Sequence, residues 1–142
     1  MITRFALAYG LCLVLMAALD FVWLGLTTES LYRPAMHGLL RPDFQPGPAI
    51  AFYLLYVFAL VWLVLKPLLD RTEAWPKAVP ALTMRAFLFA LAAFATYDLT
   101  GLAVIRDWPL PLSLIDMAWG VFNGVATANL AAAGLKALKR TG

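Results

Sequence analysis

The sequence predicts an all-α membrane protein, a bundle of four transmembrane helices, and three observations predict it. The chain of 142 residues is 63% hydrophobic and only 13% charged, against the roughly 25% charged residues of an ordinary soluble domain. Its apolar residues gather into four runs, at about 5–26, 48–65, 83–105 and 110–135, each close to the roughly 20 residues that cross a bilayer. These runs leave no room for a separate soluble domain, so a single transmembrane domain over residues 1–142 is expected.

The first run follows MITR and has the look of a secretory signal. It exceeds the roughly 7–15 apolar residues of a usual signal core and ends without a small-x-small cleavage pattern, so it reads as a span. Cys12, the only cysteine, lies inside it and has no intrachain disulfide partner; a packed thiol is expected. The connection TTESLYRPAMHGLLRPDFQPGP holds four prolines, which argue against one continuous helix. Leu31, Tyr32, Met36, Leu39 and Leu40 make it apolar enough to lie on the membrane surface, with a short interfacial helix starting near Pro34, or it is an ordinary connector. His37, the only histidine, has no spaced partner there, so neither a metal nor a cofactor is expected.

After the second run comes KPLLDRTEAWPKAVPALTMR, read as a connection broken by Pro67, Pro76 and Pro80. Trp62 and Trp75 suit one interfacial belt and Trp108 the other. The fourth run ends in GLKALKR, whose cations reach toward head groups. Four spans put the N-terminus, the second connection and the C-terminus on one side. That side holds Arg4, Lys66, Arg71, Lys77, Arg85, Lys136, Lys139 and Arg140, eight of the eleven Lys and Arg; Arg33, Arg41 and Arg106 fall on the other. Both termini are therefore expected in the cytoplasm. The net charge of +3 is a consequence of topology, and cations scattered over span ends do not make a nucleic-acid surface.

Three acids fall within the spans. Asp20, Asp98 and Asp116 each lie six or seven residues from the outer end of their run, about 9–10 Å below the boundary. A charged Asp at a span centre costs roughly 2.5–3.5 kcal/mol, so three at one depth call for pairing or protonation. On the fourth run Asp116, Trp119, Asn123 and Thr127 recur at i, i+3, i+7 and i+11, a polar stripe on one helix face. Beside it Gly120, Gly124, Ala128 and Ala132 form a small-xxx-small ladder that lets another helix approach closely. Tyr53 and Tyr56 in the second run, Trp23 after Asp20, and Tyr97 and Thr100 around Asp98 complete one layer. Arg106, in the short third connection with Asp107, is the expected countercharge, and Arg33 a second one. A plainer account treats these polar groups as interhelical glue.

DFVWLG at 20–25, PAIAFYLLY at 48–56, TYDLTGLAVIRDWPL at 96–110 and IDMAWG at 115–120 together resemble the bacterial predicted-membrane-protein family catalogued as domain of unknown function 2177. The resemblance covers nearly the whole chain and implies a four-helix protein of the bacterial inner membrane, without naming a reaction. It places the family's polar pattern on Asp20, Trp23, Tyr53, Tyr56, Tyr97, Asp98, Arg106, Trp108, Asp116 and Trp119. This chain departs from the pattern at Gly101, where the family usually shows Asn, and near Val104, where it shows Thr; Asn123 is the residue placed to supply an amide instead.

Three functions follow from this reading. The first is a pocket facing the outer leaflet, lined by Asp20, Trp23, Tyr53, Tyr56, Tyr97, Asp98, Arg106, Asp116, Trp119 and Asn123, which binds or carries a lipidic or amphipathic small molecule. A proton-coupled exporter is its variant. The Lys and Arg bias argues against the dual-topology assembly of small multidrug exporters. The second is an enzyme in which Asp98 and Asp116 form an aspartate dyad that activates water; lipoprotein signal peptidase is similar in size and acid placement, but its GN-x-x-DR signature is missing, and the balance leans away from catalysis. The third is an accessory subunit whose Gly120 to Ala132 ladder docks on a second copy or on another membrane protein.

Overall fold

The computed structural model describes residues 2–69 and 75–141, with side chains over 3–69 and 78–138. Four long helices run through them, and no strand occurs among the described residues. The first is Ile2–Thr27, continued by a π-helical turn Thr28–Tyr32 and a short α segment Arg33–Ala35. The second is Pro46–Leu60, continued by a π segment Val61–Leu65 and Lys66–Leu69. The third is Trp75–Val104 and the fourth Leu110–Thr141.

The prolines do not end the helices where the sequence suggested. The first helix passes Pro34 and the second passes Pro67, and in each a π segment ends two residues before the proline. Arg33 N–H bonds the carbonyl of Thr28 and Lys66 N–H that of Val61, each five residues back. This wider turn gives the proline ring room that an α turn would deny it. The surface-lying connection expected from Leu31 and Tyr32 onward is therefore shorter: both residues belong to the first helix, and Gly38, with φ 79°, turns the chain after it. Likewise the third helix begins at Trp75 and carries Pro80 inside it, so much of the segment read as the second connection is helical. Arg71 lies outside the described residues, as do the side chains of Trp75, Lys77, Lys139 and Arg140.

Thr3–Ala35, Pro46–Leu69 and Ala78–Val104 are long and apolar enough to cross a membrane. At 32 residues the fourth helix is also long enough, about 48 Å. It is less apolar because its inward face carries Ser113, Asp116, Asn123, Thr127 and Asn129, and it packs along the first and third helices. Polar groups inside and apolar ones outside are what a bilayer solvent demands. Phe21, Leu26, Leu55, Val14 and Val104 are accordingly among the most exposed side chains.

Two layers fill the interior. Toward the termini lies an apolar core of Ala8, Cys12, Met16, Val57, Leu60, Val61, Leu65, Leu82, Ala86, Ala128 and Leu135; the Cys12 thiol is fully enclosed there. The ladder of the fourth helix seals this core. A Cβ on Gly120 would sit 2.2 Å from the Phe94 ring, and one on Gly124 would sit 2.7 Å from Ala90 Cβ and 2.9 Å from the Tyr56 hydroxyl. Ala128 and Ala132 are buried as well. The close approach seen here is to the chain's own third and second helices.

Candidate functional site

Above the apolar core, toward the turns at residues 36–45 and 105–109, the interior becomes polar. Asp20 projects from the first helix and is 8% exposed. Its carboxyl accepts hydrogen bonds from the Tyr53 hydroxyl at 2.7 Å, the Trp119 indole at 2.8 Å and the Asn123 amide at 2.7 Å. Thr127 donates to Asn123 Oδ1 at 3.0 Å and so orients the amide with its N–H toward Asp20. The i, i+3, i+7, i+11 stripe of the fourth helix serves this cluster directly, since Trp119, Asn123 and Thr127 are three of its four members.

The Trp119 ring stacks on Trp23, with centroids 4.4 Å apart and planes within 6°. Trp23 donates its indole N–H to the Tyr32 hydroxyl at 3.1 Å, and Tyr32 donates to Asp116 Oδ1. Asp116 in turn lies beside Asp98, whose other close polar neighbour is the Ser113 hydroxyl. Asp98 is 2% exposed, and its Oδ2 has no hydrogen-bond partner. Trp108 closes this end by donating to Ser113 Oγ at 3.0 Å. Its ring covers Gly101, where a Cβ would come within 2.6 Å of it. That contact accounts for the glycine at a position where an amide was looked for, and Asn123 does present an amide to the acid layer, at Asp20.

Asp20, Trp23, Tyr53, Trp119 and Asn123 are therefore joined in one cluster, and Asp116 is linked to it through Tyr32 and the tryptophan stack. Two of the residues singled out from sequence stand apart. The Tyr56 hydroxyl is buried against Gly124 without a partner, and Tyr97 is half-exposed, its ring edge-on to Trp108 at 5.3 Å. Arg106 does not act as the countercharge. It is exposed in the turn after the third helix, next to Asp107 with φ 62°, and no hydrogen bond or ion pair joins it to the acids among the described residues. Arg33 is likewise diverted: it forks onto Glu29, one turn earlier, through bonds of 2.8 Å.

Tyr32 and Ser113 are members that sequence reading missed. Tyr32 is twelve residues after Asp20, about 120° round an uninterrupted α-helix, but the extra residue held in the π turn brings it back to within about 20° of Asp20. The only sequence signal is the proline two positions later.

An open groove of about 570 Å³ runs along the first helix and includes Tyr53 of the second, at the edge of this cluster. It is lined by Ala17, Phe21, Leu24, Gly25, Thr28, Glu29 and Tyr53. Tyr53 is both a wall of the groove and a donor to Asp20. A second groove of about 660 Å³, between the third and fourth helices, is lined by Pro80, Met84, Phe87, Phe122 and other apolar groups and does not touch the acids.

Searches of curated proteins and of solved structures return no match to the chain. The model of one family matches residues 5–134, which takes in all four helices and every member of the polar cluster. The chain belongs to the predicted membrane protein family DUF2177.

Proposed function

We propose that this protein binds an amphipathic small molecule, a lipid or a lipid-like compound, taken from the outer leaflet of the bacterial inner membrane, with both termini in the cytoplasm. One observation carries the reading: an open groove on the first helix has Tyr53 in its wall, and the hydroxyl of that same residue is bonded to the buried Asp20. Apolar walls suit a chain, and Thr28, Glu29 and Tyr53 suit the polar end of the same molecule. The Lys and Arg bias supports the orientation.

The Asp98 and Asp116 pair supports coupling to a proton. The buried Asp98 and the half-buried Asp116, with neither Arg33 nor Arg106 paired to them among the described residues, need a positive charge, and a proton held between them supplies it. The same pair, with its unbonded Asp98 Oδ2, favours a second reading as an aspartate dyad that activates water. Under that reading Asp98→Asn abolishes turnover of a bound ester or amide, whereas under the binding reading no covalent change in the ligand is ever seen.

Photo-cross-linking tests the binding reading. A benzophenone side chain in place of Leu24, on the groove wall, is expected to capture one discrete species from cells, identified by mass spectrometry. The same group in place of Leu99, exposed on the third helix and not part of the groove wall, is expected to capture only the bulk lipid mixture. Identical products from both positions would remove the groove as a site.

A further inference from the structure

The groove follows the first helix from Ala17 to Glu29, a rise of about 18 Å, slightly more than half of the roughly 30 Å hydrocarbon core. One leaflet's worth of chain and head therefore fits along it. Its wall changes character on the way, from Ala17, Phe21 and Leu24 to Thr28 and Glu29. At the polar end the charge is arranged in sequence. Glu29 lies on the groove wall, and Arg33, one turn beyond, holds it in the exposed bidentate pair.

A head group arriving at this end meets both signs. An anionic one meets the Glu29 carboxylate first and is repelled. One that is only cationic takes Glu29 away from Arg33 and leaves the guanidinium with nothing in exchange. A head group that carries an ammonium and a phosphate gives each side chain an opposite charge, and Arg is the residue best shaped to fork onto a phosphate. We propose that the groove selects a phospholipid with a zwitterionic ammonium and phosphate head group, the ammonium set on Glu29 and the phosphate on Arg33. This inference rests on the groove being a binding site, as proposed above.

The test uses the full-length protein in nanodiscs holding equal amounts of phosphatidylethanolamine and phosphatidylglycerol, with the lipids that remain bound on gentle extraction counted by native mass spectrometry. Phosphatidylethanolamine is expected to be enriched roughly fivefold, the upper end for one exposed ion pair. Glu29→Gln should bring the ratio back to parity while total retention persists, and soluble phosphoethanolamine should not displace the lipid. Parity in the wild type or an enrichment untouched by Glu29→Gln would overturn the head-group assignment, and displacement by phosphoethanolamine would overturn the lipid as its source, leaving the free head-group compound as the ligand. Gly25→Leu separates this from failure of the groove itself, because Gly25 lines the groove and a Cβ there meets no atom within 4 Å. If Gly25→Leu sheds lipid while the wild type shows parity, the groove stands and the head-group selection falls. If Gly25→Leu retains both lipids unchanged, the groove reading falls with it.

Discussion

Replacing Asp20 by Leu removes the acceptor for three donors at once. The indole of Trp119 and the amide of Asn123 are then left without a partner, and each unsatisfied buried donor costs about 1–3 kcal/mol. Asp98→Leu removes a buried carboxyl whose Oδ2 has no partner, so fewer hydrogen bonds go with it than with Asp20. Thermal melts in detergent should therefore show a clear loss for Asp20→Leu and a smaller one for Asp98→Leu; equal losses would mean that Asp98 is as well satisfied as Asp20. Arg106→Gln, on an exposed turn, is expected to stay within about 0.5 kcal/mol of wild type. At this scale the sequence was a good guide to which residues meet when they share one helix face, as Trp119, Asn123 and Thr127 do. It was a poor guide to Arg106. Nearness along the chain does not say which way a turn residue points, and Arg106 is exposed in a turn that passes through the left-handed Asp107.

The helices were legible as apolar runs, and their lengths were not. Pro34, Pro67, Pro76 and Pro80 read as breaks because an α turn cannot hold them without loss. The π segments before Pro34 and Pro67 let the first and second helices continue, and Pro76 lies in the first turn of the third helix, where no N–H bond is forfeited. One consequence reaches the acid cluster: the turn that passes Pro34 also carries Tyr32 to Asp116. The small-residue ladder, by contrast, was legible as a place of close approach but silent about its partner, since the same spacing serves contacts within a chain and between chains. Gly124→Leu tests the contact with Ala90 and Tyr56. Overpacking of this kind typically costs about 1–3 kcal/mol, so the melting temperature should fall while the oligomer size stays the same. A stable variant with an altered oligomer size would return the ladder to an interface between chains.

For the molecule as a whole, the polar layer lies entirely in the half of the bundle away from the termini, and the apolar core fills the other half. Which leaflet that layer faces depends on orientation alone. In a background with Cys12 replaced by Ala, cysteines placed at His37 and Asp107 should react with a membrane-impermeant reagent added to intact cells, and those placed at Glu73 and Lys139 should react only after lysis. Reversed labelling would turn the groove toward the inner leaflet. The central claim concerns the groove, and the most direct measurement is the number of lipid molecules retained per chain after gentle extraction, compared between the wild type and Gly25→Leu at matched melting temperature. The account predicts that the wild type keeps a bound lipid and that Gly25→Leu, folded and equally stable, loses it. Equal retention by the two would contradict it, leaving the hydrogen bonds around Asp20 as the glue of a four-helix bundle.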